Sequence, residues 1–237
     1  DLLENFSFLL SLILIFDLLR LKVAGVREKG KLILIGILIG GIGIIIMVTT
    51  WVASPGIVFD TRSVLLSISG LFFGVVPTTI AVILTGAFRI IQGGAGALTG
   101  LFVIITTASL GLLWRHFRKE PLEKVKWWQM YLFGIIVHII MLALMLTLPK
   151  DNVQPVLSSI SLPVMIIYPI GNTLLGLILR NRLVREQTHK NLAEITNRFK
   201  TAEQISRIGG WDYDVKTGTS FWTEEVYRIH GFTKEEL

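Results

Sequence analysis

Residues 32–50 read LILIGILIGGIGIIIMVTT, nineteen positions without a charge. Crossing the hydrocarbon core of a bilayer takes about 20 mostly apolar residues, so this run predicts a transmembrane helix. Residues 129–148 and 159–179 read the same way. One such run suits a buried core helix of a soluble protein; four or more do not. The composition agrees. Of 237 residues 52% are hydrophobic and only 17% are charged, against about 25% charged in a soluble domain, and the mean hydropathy is +0.66. The expected fold class is therefore an all-α polytopic membrane helix bundle, with the lipid bilayer as its first partner. Residues 6–19 could form a signal-peptide core, but no basic stretch precedes them and no small-residue cleavage site follows. They are read as a membrane helix. Asp1 in place of Met predicts a piece of a longer chain.

Charge orders these runs. The net charge of +6 would suit nucleic acid if it were spread over one face, but it sits in clusters between apolar runs, which excludes that partner. Residues 20–31 hold Arg20, Lys22, Arg27, Lys29 and Lys31. Residues 115–126 hold Arg115, Arg118, Lys119, Lys124 and Lys126, and residues 180–190 hold Arg180, Arg182, Arg185 and Lys190. The positive-inside rule assigns all three to the cytoplasm. Stretches 1–4, 51–63 and 149–158 are poor in Lys and Arg and fall outside. Residues 6–19 and 159–179 then run inward, and 32–50 and 129–148 run outward. Block 63–114 must start outside and end inside, so it crosses an odd number of times. It contains 63–76, 77–88, a polar, glycine-rich patch at 89–96, and 97–114. Its first two pieces form either a re-entrant hairpin or two short crossings turning at Gly74–Pro77. The expectation is five full crossings with a short helical pair, or seven crossings. Reading 64–88 as a single helix would put the 115–126 cluster outside.

Beyond residue 179 the chain becomes polar and helix-forming. Leu192, Ile195, Phe199 and Ala202 recur at spacings of three and four, one stripe suited to a short coiled coil or to a lone amphipathic helix. Gly209-Gly210 stops the helix. Trp211-Asp-Tyr-Asp-Val then reads as a strand, Lys216-Thr-Gly as a turn, and Ser220-Phe-Trp as a second strand. Thr223 followed by Glu224 and Glu225 predicts a capped helix running to His230. About 30 residues are too few to bury a core of their own. The expected domains are 1–180 in the membrane, a linker helix at 181–208, and the beginning of an α/β domain at 209–237.

Ionisable groups inside membrane segments are expensive, so each is informative. Asp60 and Arg62 stand at the outer start of the odd-crossing block; Arg89 and Gln92 stand at its other outer end. Gly93, Gly94 and Gly96 follow, and glycine lets the backbone approach a ligand and expose N–H groups. A helix beginning at Ala97 would turn its anion-favouring N-terminus to the same patch. Two guanidinium groups there suit a carboxylate or phosphate. Either the patch binds a small anion, or Asp60 pairs with Arg62 or Arg89 and anchors helix ends. His138, in mid-helix, either serves a ligand or senses pH, or is satisfied by a carbonyl or a hydroxyl of another helix. Tyr168-Pro169 would kink the last helix near its middle. His138, Tyr168 and Pro169 are the candidate gating residues. Trp127 and Trp128 fit an aromatic belt. Gly94-Ala-Gly96-Ala-Leu-Thr-Gly100 misses the dinucleotide fingerprint by one residue and follows no strand. No Walker motif, metal triad or Ser-His-Asp set is visible, and the absence of cysteine excludes thiolate sites. No cofactor, metal or catalytic residue is expected in this chain.

Three stretches carry a resemblance: Pro55-Gly-Ile-Val-Phe-Asp-Thr-Arg-Ser-Val64, Gly70-Leu-Phe-Phe-Gly74, and Phe88-Arg-Ile-Ile-Gln-Gly-Gly-Ala-Gly-Ala97. Together with His138 and with Tyr168-Pro169 before Gly176, they resemble the LytS-YhcK type of five-transmembrane receptor domain, over roughly residues 5–180. That family stands at the N-terminus of sensor histidine kinases and diguanylate cyclases. The resemblance implies that Arg62 and Arg89 face the ligand and that the receptor is a homodimer. Val76 stands where the family commonly has Gly. The glycine-punctuated helices around Pro77 are also similar to substrate-binding subunits of vitamin transporters, a fold-level analogy that favours seven crossings. Residues 203–237, with Trp211, Phe221-Trp222-Thr223 and Tyr227-Arg-Ile-His-Gly-Phe232, resemble the first third of a PAS domain. The combined expectation is the sensory part of a plasma-membrane receptor with a cytoplasmic PAS segment. Its output enzyme would be a histidine kinase, with a diguanylate cyclase as the alternative. A transporter would need polar groups on both sides of the midplane, and here they gather on one side apart from His138.

Overall fold

The computed structural model of the chain describes residues 10–15, 28–49, 51–54 and 57–233, with 51–59 described by backbone alone. Of the crossing expected at 6–19, residues 10–15 are helical, with Leu12 and Ile15 buried. The remainder lies outside the described residues, as do Arg20, Lys22 and Arg27. The chain divides into two compact units, Asp1–Leu183 and Val184–Leu237.

In the first unit, helix α1 (Glu28–Val48) is followed by an antiparallel hairpin, β1 (Trp51–Ser54) and β2 (Ile57–Phe59). Next come α2 (Arg62–Phe73), α3 (Val75–Gln92), α4 (Ala97–Phe117) and α5 (Trp127–Leu144), the last extended by a 3-10 turn at Met145–Thr147. Helix α6 runs from Lys150 to Ser206. Five of these helices are long and apolar enough to cross a bilayer: α1, α3, α4, α5 with its 3-10 turn, and α6. The break in block 63–114 falls at Gly74, where φ of +85° ends α2 in a backbone conformation that a side chain disfavours. Only the first piece of the expected short pair is short. Helix α2 has 12 residues, about 18 Å against a hydrocarbon core of about 30 Å. Helix α3 has 18 residues, because Arg89 and Gln92 continue it rather than beginning a loop.

All twelve residues of α2 are buried, so protein rather than lipid surrounds its ends and its hydroxyls. Ser69 and Thr78 share a hydrogen bond of 3.0 Å across the turn to α3. Ser67 donates to Asn172 Oδ1 of α6 at 3.2 Å. At the C-terminus of α2, Arg115 of α4 donates to the carbonyls of Leu71 (2.8 Å) and Phe72 (3.1 Å), capping groups that no further turn could satisfy. Close helix approach depends on small residues, as expected where lipid removes the hydrophobic drive between helices. A Cβ on Gly36 would lie 2.7 Å from Ile80 Cβ, and one on Gly40 would lie 2.6 Å from Leu84 Cδ1, which sets the α1–α3 seam.

Helix α6 contains Pro155, Pro163 and Pro169 and is nonetheless assigned as one helix across the expected kink site. Pro169 packs on α5, where a Cβ at Gly134 would stand 2.9 Å from Pro169 Cα. In the second unit the stripe residues Leu192, Ile195 and Phe199 are exposed. The helix ends at Ser206, one turn before the two glycines, with Arg207 in the left-handed region (φ +54°). Strands β3 (Trp211–Asp214) and β4 (Thr219–Trp222) pair antiparallel, and α7 spans Glu224–His230. The helix begins where Thr223 predicts, but the Thr223 hydroxyl accepts the N–H of Gly210 at 3.1 Å instead of capping α7.

Candidate functional site

The site grows from the start of α2. Asp60 Oδ1 accepts the backbone N–H of Arg62 (2.9 Å) and its Nε (2.6 Å), so one carboxylate oxygen both ends the preceding loop and fixes the guanidinium. The pair is buried, with side chains 8% (Arg62) and 2% (Asp60) exposed. Asp60 Oδ2 and Arg62 Nη1 are buried and have no hydrogen-bond partner among the described residues. Arg89, on the last turn of α3, donates Nη1 to Gln92 Oε1 and to the Gly93 carbonyl, both at 3.1 Å. With two arginines and one aspartate, the cluster carries a formal charge of +1.

A cavity of about 40 Å³ lies between these groups, room for roughly three waters or one small anion. It is lined by Asp60, Arg62 and Ser63, by Arg89, by Gly96, Thr99, Gly100 and Val103 of the loop and α4, and by Met141, Met145 and Leu148. The structure thus brings Asp60, Arg62, Arg89 and Gly96 together. Gln92 is not on the wall but behind Arg89, and it also reaches the Met47 carbonyl at 3.5 Å. Gly93 and Gly94 turn the chain with φ of +66° and +86° and do not line the cavity. Sequence reasoning missed Ser63, Thr99, Gly100, Val103, Met141, Met145 and Leu148. A helical signal for some of them was available: Gly96, Thr99, Gly100 and Val103 share one face at spacings of three and four.

Gly100 has a specific task. A Cβ there would lie 2.6 Å from Arg89 Nε and 3.2 Å from Arg89 Cδ. The Gly100→Ala variant is expected to fold, because the obstructed group is the far end of a flexible side chain, but to displace the guanidinium. The affinity of any anion held by Arg89 should then fall about tenfold, measured by isothermal titration.

His138 is fully buried outside the cavity wall. Its Nδ1 lies 2.6 Å from the Gly134 carbonyl, which can only accept, so Nδ1 carries the proton. In the neutral ring Nε2 accepts from the Ser63 hydroxyl at 3.0 Å. The ring meets Tyr168 of α6 edge-on, with centroids 5.1 Å apart. The three candidate gating residues therefore come together where α5 and α6 cross, one hydrogen bond from the cavity wall.

Five helices long and apolar enough to cross a bilayer, with a small cavity lined by two arginines and an aspartate, define a multi-pass membrane protein. The family model described as the 5TMR of 5TMR-LYT matches residues 13–182, and the chain belongs to that family of five-transmembrane receptors, the membrane sensory domains of signalling proteins. No curated protein and no solved structure matches the chain.

Proposed function

We propose that this chain is the sensory part of a signal-transduction receptor, and that the cavity between Arg62 and Arg89 binds a small extracytoplasmic anion. One observation carries the anion reading: Arg62, whose buried Nη1 has no hydrogen-bond partner among the described residues, lines the same cavity as a second arginine. A buried donor without an acceptor costs about 1–3 kcal/mol, more when charged, and an incoming carboxylate or phosphate removes that cost. The first turn of α4 at Gly96–Gly100 adds its positive end. Gln92, Gly93 and Gly94 shape the neighbourhood of Arg89.

Access from the outer side is supported by charge. Arg115 and the 118–126 segment lie at the opposite end of α4 from the cavity, and Arg180 of α6 donates to the Glu123 carbonyl (3.0 Å) at that basic end. The positive-inside rule puts this end in the cytoplasm. Ligand occupation would act on the wall residue Ser63 and through His138 and Tyr168 on α6, whose helix continues as the linker at 181–208. A ligand shifts such an equilibrium only by its differential affinity for the two packings. Residues 209–237 form the start of a cytoplasmic PAS domain, and the exposed Leu192–Ile195–Phe199 stripe suits a homodimeric linker. The family is often part of histidine kinases, which makes a kinase the favoured output over a diguanylate cyclase.

Isothermal titration of the purified protein with a panel of small carboxylates and inorganic phosphate tests the reading. Saturable one-to-one binding of at least one of them is expected, and no binding across the panel would sink the anion pocket.

A further inference from the structure

Near the end of the bundle that carries the basic residues, α4 and α5 line an open groove separate from the cavity between Arg62 and Arg89. It has a volume of about 530 Å³, and its walls include Leu110, Trp114, Phe117, Trp128, Leu132 and Ile136. Phe117 is 74% exposed, and Trp128 and Leu132 are each 48% exposed. From Trp128 to Ile136 the groove follows about 12 Å of helix, most of the roughly 15 Å of hydrocarbon in one leaflet. An acyl chain fits such a groove, but apolar walls alone would accept any lipid.

Charged residues beside the groove supply selectivity. The connecting segment 118–126 carries Arg118, Lys119, Lys124 and Lys126 against Glu120 and Glu123. The Arg118 guanidinium lies over the Trp114 ring, 5.9 Å from its centroid. Its side chain is 7% exposed, and its Nε donates to the Glu120 carbonyl at 2.9 Å. The Glu120 carboxylate stands 3.7 Å from Nη2, and Nη2 is buried with no hydrogen-bond partner among the described residues. A guanidinium beside an apolar groove at a bilayer surface, with a buried N–H lacking an acceptor, matches the needs of a phosphodiester. Basic pockets between transmembrane helices recognise anionic headgroups on this principle.

We propose that the α4–α5 groove binds a phospholipid with an anionic headgroup, one acyl chain lying along Trp114 and Leu132 and the phosphate on Arg118. Lys124 and Lys126 add attraction at the rim. The proposal is independent of the anion cavity and of any output domain.

Native mass spectrometry of the full chain, released from detergent with equal amounts of phosphatidylglycerol and phosphatidylcholine of identical acyl chains, tests it. One phosphatidylglycerol per chain should persist under conditions that strip phosphatidylcholine. Arg118→Gln should lower that retention about tenfold. Leu132→Trp, which fills the groove and leaves the charges in place, should do the same. Arg185→Gln, in a different basic cluster, should leave it unchanged. Equal loss of the two lipids from the unsubstituted chain, or equal retention by Arg118→Gln and Arg185→Gln, would mean ordinary boundary lipid only and overturn the site. The comparison of the two lipids on the unsubstituted chain decides the matter even if a variant fails to fold.

Discussion

Replacing Arg89 by Gln is expected to lower anion affinity about 100-fold in protein that keeps its helical content. Arg89, not Arg62, is the arginine to replace. Arg62 is bound to the buried Asp60, and removing it would leave an uncompensated carboxylate, a loss of about 3–5 kcal/mol that would confuse binding with folding. Arg89 Nη1 donates to Gln92 Oε1 and the Gly93 carbonyl, acceptors that a glutamine side chain leaves uncharged. A charge-assisted hydrogen bond to a carboxylate is worth about 1.5–3 kcal/mol, so the net loss of one such bond, with the glutamine amide still able to donate, gives about 100-fold. Arg89→Lys should recover only part of the affinity, because an ammonium supplies charge without the planar fork. Titration with the best-binding member of the carboxylate panel measures all three proteins. Unchanged affinity in Arg89→Gln would remove Arg89 from the site.

The largest effect on stability is expected at the seam between α2 and α4. A Cβ on Gly70 would lie 2.6 Å from the Ala108 carbonyl oxygen and 2.8 Å from the Leu112 nitrogen, and one on Gly111 would run into the Ser67 carbonyl oxygen. In both cases the obstructing atoms are backbone and cannot rotate away. Overpacking usually costs about 1–3 kcal/mol; here α2 itself would have to move. That would strain the Ser63–His138 and Ser67–Asn172 hydrogen bonds together with the Arg115 cap. Gly70→Ala and Gly111→Ala should each cost about 3 kcal/mol or more, read as a large drop in melting midpoint in detergent or as failure to accumulate folded protein. Gly41→Ala is the control, since a Cβ at Gly41 meets nothing within 4 Å. It should be neutral or slightly stabilising.

Several features were legible because their causes are local. The break between α2 and α3 was readable at Gly74, where only glycine adopts the required φ cheaply. The hairpin β3–β4 was readable from its Lys216-Thr-Gly turn and aromatic flanks. Other features were not read. The length of α3 was underestimated because Arg89 and Gln92 look like loop residues, whereas the Arg89 side chain folds back onto Gln92 and Gly93. Low Lys and Arg content places 51–63 outside but says nothing of the pairing of β1 with β2, although Pro55-Gly56 between β-branched and aromatic residues is a turn signal. Thr223 starts α7, but its hydroxyl is spent on Gly210, a contact no spacing rule contains.

By itself the sequence determined that this is a membrane bundle, where most of its helices lie, which ends carry the basic charge, and that Asp60, Arg62 and Arg89 are among the few ionisable groups between the apolar runs. These conclusions rest on runs of apolar residues and on charges too costly to bury without reason. Tertiary structure decided that α2 is a short helix enclosed on all sides. It also decided that Arg62 and Arg89 share one cavity with Gly96, Thr99 and Met145 while Gln92, Gly93 and Gly94 stand behind or beside it, and that His138 answers to Ser63 and Gly134. The physical reason is that burial and hydrogen-bond partnership are properties of pairs brought together across the bundle. Ser63 and His138 are 75 residues apart, and only helix packing makes them neighbours.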